Sequence, residues 1–196
     1  MKILIPSIAW ERKETLNELA IVILAAGKGT RMKSDLVKVL HPVAGSPMLC
    51  YPLDLSRKLK PSRLVVVVGF QADLVQEKFK AHDVTFVLQK EQLGTGHAVL
   101  AAKPALRGFR GSVLILSGDV PLLTEETVSR FLKAHQARQA TLSVMTVELE
   151  NPKGYGRVFR STDGSLLRIT EDKDLKPGEE KVREINTGIY LSLIHI

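Results

Sequence analysis

The sequence is poor in cysteine and in aromatic residues, and each shortage excludes a class of protein. Cys50 is the only cysteine among 196 residues, so an intramolecular disulfide framework is impossible. A fold without disulfides fits a reducing compartment, and we expect a cytoplasmic location. Aromatic residues make up 5% of the chain, which leaves few rings on which nucleic-acid bases could stack.

Long apolar runs are also missing. No stretch approaches the roughly 18 to 20 apolar residues that a membrane-spanning helix needs. The N-terminal MKILIPSIAW is followed by charged residues instead of a small-residue cleavage site, so a secretory signal is not expected. The net charge is +7, but the basic residues are scattered along the chain. Small anionic substrates are therefore favoured, with no membrane and no nucleic acid as partner, and a nucleic-acid-binding module is kept as an alternative.

What is present is the composition and pattern of an α/β enzyme or binding domain. Hydrophobic residues make up 44% and charged residues 25%, close to the average of globular domains. Short β-branched runs predict strands buried on both faces, and stretches with helical spacing lie between them. Strands are predicted at 20–25, 63–68, 84–88 and 112–117, and helices at 48–59, 71–80, 96–106 and 124–136. This alternation predicts a Rossmann-like, doubly wound, mostly parallel sheet.

The pattern changes after a further predicted strand at 140–147. Asp163-Gly164 lies between two alternating segments and predicts a hairpin, a small antiparallel excursion near residues 157–170. A strand at 184–192 is predicted to follow. We expect one domain over residues 19–192, incomplete at its C-terminal end. Residues 1–18 are interpreted as an extension that is a candidate for non-native sequence, and residues 193–196 as a non-native end.

The stretch LAAGKGTRMKSDLVK, residues 24–38, leaves the first predicted strand through a loop of glycines and cations. The first βα loop of an open α/β sheet is a favoured ligand site. Gly27 and Gly29 would let backbone N–H groups approach an anion, while Arg31 and Lys38 would add positive charge around a polyphosphate. The alternative is a tight turn with solvated lysines. The four features together favour a phosphate loop.

Three further groups of polar residues and glycines follow predicted strands. In LSGDVPLL, Asp119 is a candidate Mg²⁺ ligand, or else a capping residue of the turn that Pro121 stiffens.

In QKEQLGTGHAV, Gln89 and Gln92 could read a base edge, and Gly94 would allow close backbone approach. Thr95 would bind substrate or cap a helix, and His97 is interpreted as a packed or surface histidine.

GYGR, TEDKD and EINTG lie in the later segment, residues 154–188, where such clusters usually form turns. Glu171 and Asn186 gain a functional interpretation only if they converge on the crevice at the carboxyl ends of the strands.

These groups, in this order and spacing, resemble the sugar nucleotidyltransferases, and within that family most closely the bacterial bifunctional N-acetylglucosamine-1-phosphate uridyltransferases. The resemblance covers about residues 20–192. It implies that Leu24, Ala25, Ala26, Gly27 and Gly29, with Arg31 and Lys38 as the catalytic cations, hold UTP. It further implies that Gln89, Gln92, Gly94 and Thr95 recognise uracil, that Asp119 binds Mg²⁺, and that Gly156, Glu171 and Asn186 contact the sugar.

The reaction implied by the resemblance is uridylyl transfer from UTP to N-acetylglucosamine 1-phosphate, with release of pyrophosphate. A nucleotidyltransferase for another sugar phosphate or base and a non-catalytic nucleotide-binding module are the alternatives. Val37 stands where the family usually has proline, which predicts a looser lysine loop, and Ser117 stands where an aromatic residue is common, which predicts a lost packing contact. The family's further asparagine metal ligand, and the C-terminal domain through which its full-length members trimerise, are not present in these 196 residues.

Overall fold

The computed structural model describes residues 3–4, 18–29 and 32–193. Arg31 and most of the expected N-terminal extension lie outside the described residues, as do residues 194–196. The strands are β1 (Ile3–Leu4), β2 (Leu19–Ala25), β3 (Pro42–Val43), β4 (Ser46–Pro47), β5 (Arg63–Val68), β6 (Thr85–Leu88), β7 (Ser112–Ser117), β8 (Leu142–Glu148), β9 (Arg157–Arg160), β10 (Leu166–Thr170) and β11 (Glu184–Leu193). The α-helices are α1 (Cys50–Lys58), α2 (Ala72–Phe79), α3 (Thr95–Ala101) and α4 (Glu125–Ala137).

The chain divides into two compact units, and the larger one contains Thr15–Val128. Its strands lie in the order β7-β2-β5-β6, and each neighbouring pair is parallel. Most residues of β2 and β7 are buried. The carboxyl ends of all four strands meet at one edge, which brings the loops that follow them together.

The second unit contains mainly Ser129–Ser192. Here β8 pairs antiparallel with β1 and with β11, and β9 pairs antiparallel with β10 and β11. The hairpin of β9 and β10 turns at Gly164, which has a φ of +84°. The predicted α/β class with mostly parallel central strands and an antiparallel excursion near residues 157–170 is confirmed. A separate two-stranded sheet, β3 with β4, was not predicted.

Two sequence predictions about individual elements are wrong. The run 84–88 was predicted to be buried on both faces, but β6 is the outer strand of its parallel set, and Leu88 is 50% exposed. The helix predicted over 96–106 stops at Ala101 and continues as a 3₁₀ turn over Lys103–Leu106, where Pro104 cannot supply an N–H. Of the helices in the described residues, none is long and apolar enough to cross a membrane.

Candidate active site

The first loop is held between two neighbouring strand ends. The carbonyl of Leu24 accepts a hydrogen bond of 2.8 Å from the N–H of Gly118, and the carbonyl of Ala26 accepts one of 3.2 Å from Phe70. Ala25 and Ala26 are buried, while Gly27 has open space around its Cα. The backbone at Gly27 can therefore be approached closely by a ligand.

Gly29 and Lys38 lie against each other. Gly29 has a φ of +67°, and a Cβ on it would lie 2.6 Å from the Cβ of Lys38. Glycine at this position allows both the left-handed backbone and the contact with the lysine stem. Lys38 begins a 3₁₀ turn that ends at Leu40.

Lys38 forms an ion pair with Asp119, the carboxylate that follows β7. Ser117 donates a hydrogen bond to the other carboxylate oxygen of Asp119. Burial alone would raise the pKa of Asp119, but the hydrogen bonds from Lys38 and Ser117 and the charge of Lys38 hold that pKa below its ordinary value. Asp119 is therefore ionised at neutral pH. From the sequence, Ser117 was expected only to lack the packing contact of an aromatic residue. In the structure its hydroxyl orients the carboxylate of Asp119.

The third predicted group divides into a buried residue and exposed ones. Gln89 is 3% exposed, and its amide lies 3.3 Å from the carbonyl of Gly94 and 3.0 Å from Nδ1 of His97. Gln92, Gly94 and Thr95 are exposed. Gln89 thus holds the loop through buried hydrogen bonds, and Gln92, Gly94 and Thr95 are exposed to solvent. His97 is a packed histidine, as its sequence context suggested.

Two residues that sequence reasoning missed bring these groups together. A Cβ on Gly69, which follows β5, would lie 2.8 Å from the carbonyl oxygen of Ala26 and 3.0 Å from Nε2 of Gln92. A Cβ on Gly118 would lie 3.1 Å from the carbonyl oxygen of Leu24. Their position directly after predicted parallel strands was the only signal in the sequence. The structure thus gathers the first three groups at one edge of the parallel strands.

The three residues predicted to contact the sugar lie close to one another within the second unit. A Cβ on Gly156 would lie 3.5 Å from a carboxylate oxygen of Glu171 and 3.7 Å from the Cβ of Asn186. The N–H of Asn186 donates to the carbonyl of Gly156 at 2.8 Å. The Asn186 amide donates to the hydroxyl of Tyr190 at 2.6 Å. Burial, aided by the charge of Glu171, raises the pKa of Tyr190, a neighbour that sequence reasoning missed.

The donor set for a divalent cation is small. In the part of the chain that the structure describes, no group of three or more His, Cys, Asp and Glu residues could hold a metal ion. Asp119 offers one ionised carboxylate at the same edge as the glycine loop. That fits a hard cation such as Mg²⁺, which is commonly bound by one or two carboxylates together with substrate phosphates.

A parallel α/β unit with a glycine loop, a lysine and a carboxylate at one strand edge is typical of α/β proteins that bind nucleotide phosphates. A family model described as the MobA-like NTP transferase domain matches residues 21–177. The chain belongs to this family, and the predicted nucleotidyltransferase is confirmed.

Similar proteins agree with this assignment. The chain is 56% identical over 176 residues to the bifunctional protein GlmU of Geobacter metallireducens, a match that covers 89% of this chain and 37% of the relative. It is 50% identical over 173 residues to the bifunctional protein GlmU of Prochlorococcus marinus, covering 88% and 39%. The chain therefore spans less than two fifths of the length of these relatives. The crystal structure of HddC from Yersinia pseudotuberculosis complexed with GMP-PN has a TM-score of 0.68 at 24% identity, covers 89% of this chain and 76% of that chain, and supports the fold.

Proposed function

We propose that the chain catalyses uridylyl transfer from UTP to N-acetylglucosamine 1-phosphate, giving UDP-N-acetylglucosamine and pyrophosphate. The observation that carries the proposal is the Lys38–Asp119 pair beside the glycine loop, with the Gln92-Gly94-Thr95 surface at the same strand edge. The similarity to the bifunctional protein GlmU over most of this chain supports the choice of substrates. Trimerisation through a further domain, expected from the resemblance, stays a prediction.

The reaction needs no nucleophile from the protein. A phosphate oxygen of the sugar phosphate is already ionised and forms a bond to the α-phosphorus of UTP. The bond from that phosphorus to the bridging oxygen breaks, and pyrophosphate leaves with the electron pair. The protein's task is to align the two anions and to offset their charge.

Lys38 is the described cation best placed for this task. Its ammonium is neutralised by Asp119 in the absence of substrate. A bound triphosphate would compete for Lys38, which frees Asp119 for a cation. Mg²⁺ held by Asp119 and substrate phosphates would supply further neutralisation of charge. Arg31 has the same proposed role as Lys38, but it lies outside the described residues.

Base recognition is proposed for the loop after β6. Gln92, Gly94 and Thr95 present exposed donors and acceptors, and the buried Gln89 holds the carbonyl of Gly94. Gln89 would contribute to base recognition in one of two ways. It either holds the Gly94 carbonyl in place, or its side chain rotates toward the base when substrate binds. The sugar is proposed to contact Gly156, Glu171 and Asn186, where a small residue leaves room between a carboxylate and an amide.

The test is release of pyrophosphate by the full chain with Mg²⁺. Four nucleoside triphosphates are each combined with N-acetylglucosamine 1-phosphate and with glucose 1-phosphate. We expect turnover with UTP and the N-acetylated sugar, and loss of about 10²-fold or more in Asp119→Asn. Asp83→Asn, at an exposed aspartate, is the matched control and should keep full activity. Binding of UTP without turnover would support the non-catalytic alternative, and preference for another base would overturn the choice of UTP.

A further inference from the structure

Gln71 has a left-handed backbone in the turn that joins β5 to α2, where the N–H of Ala72 donates a hydrogen bond of 3.1 Å to the carbonyl of Gly69. Its φ of 53° and ψ of 39° place a non-glycine residue in the left-handed region, directly before α2. Gln71 occupies the N-cap position, yet its side chain makes no capping hydrogen bond to the helix. A non-glycine residue in this conformation costs on the order of 1 kcal/mol, which contacts of its side chain can offset.

The side-chain amide of Gln71 instead binds the loop that leads to Lys38. Its Oε1 accepts a hydrogen bond of 2.8 Å from the N–H of Val37, and its Nε2 donates one of 2.8 Å to the carbonyl of Asp35. One amide thus satisfies a donor and an acceptor on two backbone units, as a strand neighbour would. We call this pair of hydrogen bonds the Gln71 clamp.

The clamp acts directly before the 3₁₀ turn that begins at Lys38. Within the loop, Leu36 is held by local contacts, its carbonyl 3.1 Å from Nε2 of His41 and its N–H 3.2 Å from the hydroxyl of Ser34. The clamp adds contacts from a residue more than 30 positions away, in the turn between β5 and α2. It therefore ties the start of the lysine turn to the turn that follows β5.

Val37 is the residue on which the clamp depends. Its side chain is fully buried, and its backbone has a φ of −56° and a ψ of 137°. Proline adopts these angles without strain and has no N–H to satisfy. A chain with proline at 37 would hold this loop through its ring, whereas a chain with valine has a free N–H and needs an acceptor. Gln71 supplies that acceptor.

We propose that Gln71 is a positioning residue for the transfer reaction, which sets the place of Lys38 by clamping residues 35–37. The inference rests on the proposed function for its kinetic consequence. In this proposal Gln71 acts through Lys38, because its amide binds the backbone of Asp35 and Val37 directly before that lysine. If the clamp restrains residues 35–37, valine at 37 would not leave the lysine loop loose, contrary to the expectation from the sequence.

The experiment uses Gln71→Gly, because glycine keeps the left-handed backbone and removes the amide. We expect kcat/KM for UTP to fall by about 10- to 100-fold, since small errors in the placement of a catalytic group have costs of this size. We also expect faster hydrogen exchange at residues 35–40. Gln139→Gly is the matched control, because Gln139 has a φ of 50° and lies exposed in the other unit. It should change neither quantity.

The rescue variant separates positioning from general damage. Val37→Pro in the Gln71→Gly background removes the unpaired N–H and fixes φ, and it should restore kcat/KM to within about threefold of the wild type. Unchanged exchange in Gln71→Gly, or failure of proline to restore kcat/KM despite a folded protein, would overturn the proposal. If the wild-type chain turns over no nucleotide, the proposed function fails, and the exchange of residues 35–40 alone decides on the clamp.

Discussion

At the scale of single residues, the pairing of Lys38 with Asp119 lowers the pKa of the aspartate. The carboxylate is partly buried, and burial opposes its charge. Its pKa stays low because Lys38 and Ser117 donate hydrogen bonds to it and Lys38 adds a nearby positive charge. This geometry also decides how the site responds to acid.

Lys38→Met should raise the pKa of Asp119, because burial remains when the hydrogen bond and the charge are gone. In the wild type the ionised pair stabilises the fold above the ordinary aspartate value of 3.8, and this stabilisation is lost as the pH falls through the lower folded-state pKa. Carboxyl NMR titration measures the shift. Lys90→Met, at an exposed lysine, should leave the titration of Asp119 unchanged. An identical titration in Lys38→Met would disprove the coupling.

The two glycines of the first loop should respond differently to alanine. Gly29→Ala would place a Cβ against the stem of Lys38 and force a non-glycine residue to a φ of +67°, so the loop must move even without substrate. Gly27→Ala meets nothing within 4 Å and should leave the free protein unchanged while weakening UTP binding. Calorimetry with UTP, together with hydrogen exchange of the free loop, distinguishes the two. Equal exchange in both variants would contradict this difference.

At the scale of elements, β11 carries an irregularity where the sugar contacts are proposed. Its pairing with β8 shifts register between Asn186 and Tyr190, and Gly188 has a φ of +75° within that interval. The N–H of Gly188 donates to the Asn186 side-chain oxygen at 3.0 Å. A bulge of this kind redirects a side chain away from the regular alternation of the strand.

Gly188→Ala should therefore impair use of the sugar phosphate more than use of UTP. The substitution strains the left-handed backbone by about 1–2 kcal/mol, and straightening the strand would turn Asn186 away from Gly156 and Glu171. Steady-state kinetics should give a raised KM for N-acetylglucosamine 1-phosphate with a nearly unchanged KM for UTP. Gly164→Ala, at the hairpin turn with a φ of +84°, is a control with similar strain away from Asn186. Equal effects of the two variants on the sugar KM would remove the assigned role of the bulge.

Elements with strong local signals could be predicted from the sequence, and the rest depended on neighbours. The β-branched runs at 63–68 and 112–117 form strands with these bounds, since their composition suits strands flanked on both sides. The burial of β6 could not be inferred, because a run of apolar letters does not reveal whether a strand is central or outermost. The sequence left open whether Gly156, Glu171 and Asn186 lie close to one another. The pairing of β9 with β11 brings them together.

At the scale of the whole molecule, one buried histidine should make stability depend on pH. His135 is 1% exposed, its Nδ1 lies 2.7 Å from the hydroxyl of Ser143, and its Nε2 has no partner. Burial lowers the pKa of His135 below its ordinary value of 6.5. No sequence signal set this histidine apart, because its surroundings come from the packing of α4 and β8.

The sign of the effect follows from the unfolded chain, in which His135 takes up a proton near pH 6.5 while the folded protein keeps it neutral. The contribution of neutral His135 to the free energy of unfolding is fully present above pH 6.5. It declines as the pH falls toward the folded-state pKa, by at most about 1.4 kcal/mol per pH unit. Urea unfolding followed by circular dichroism at pH 7 and pH 5 measures the decline. His135→Gln should reduce the decline between those pH values, and an undiminished one would exclude His135 as its source.

The need of the Val37 N–H for an acceptor also has an evolutionary consequence. If valine at 37 needs the amide of Gln71, then the two positions cannot change independently. If Gln71 is replaced first, the buried N–H of Val37 is left without an acceptor. If proline replaces Val37 first, the amide of Gln71 is no longer needed. Among relatives, we therefore expect glutamine at the position of Gln71 to accompany a residue other than proline at the position of Val37, and smaller residues there to follow proline. The sequences of homologues would then show whether the proline ring or the glutamine amide restrained this loop first.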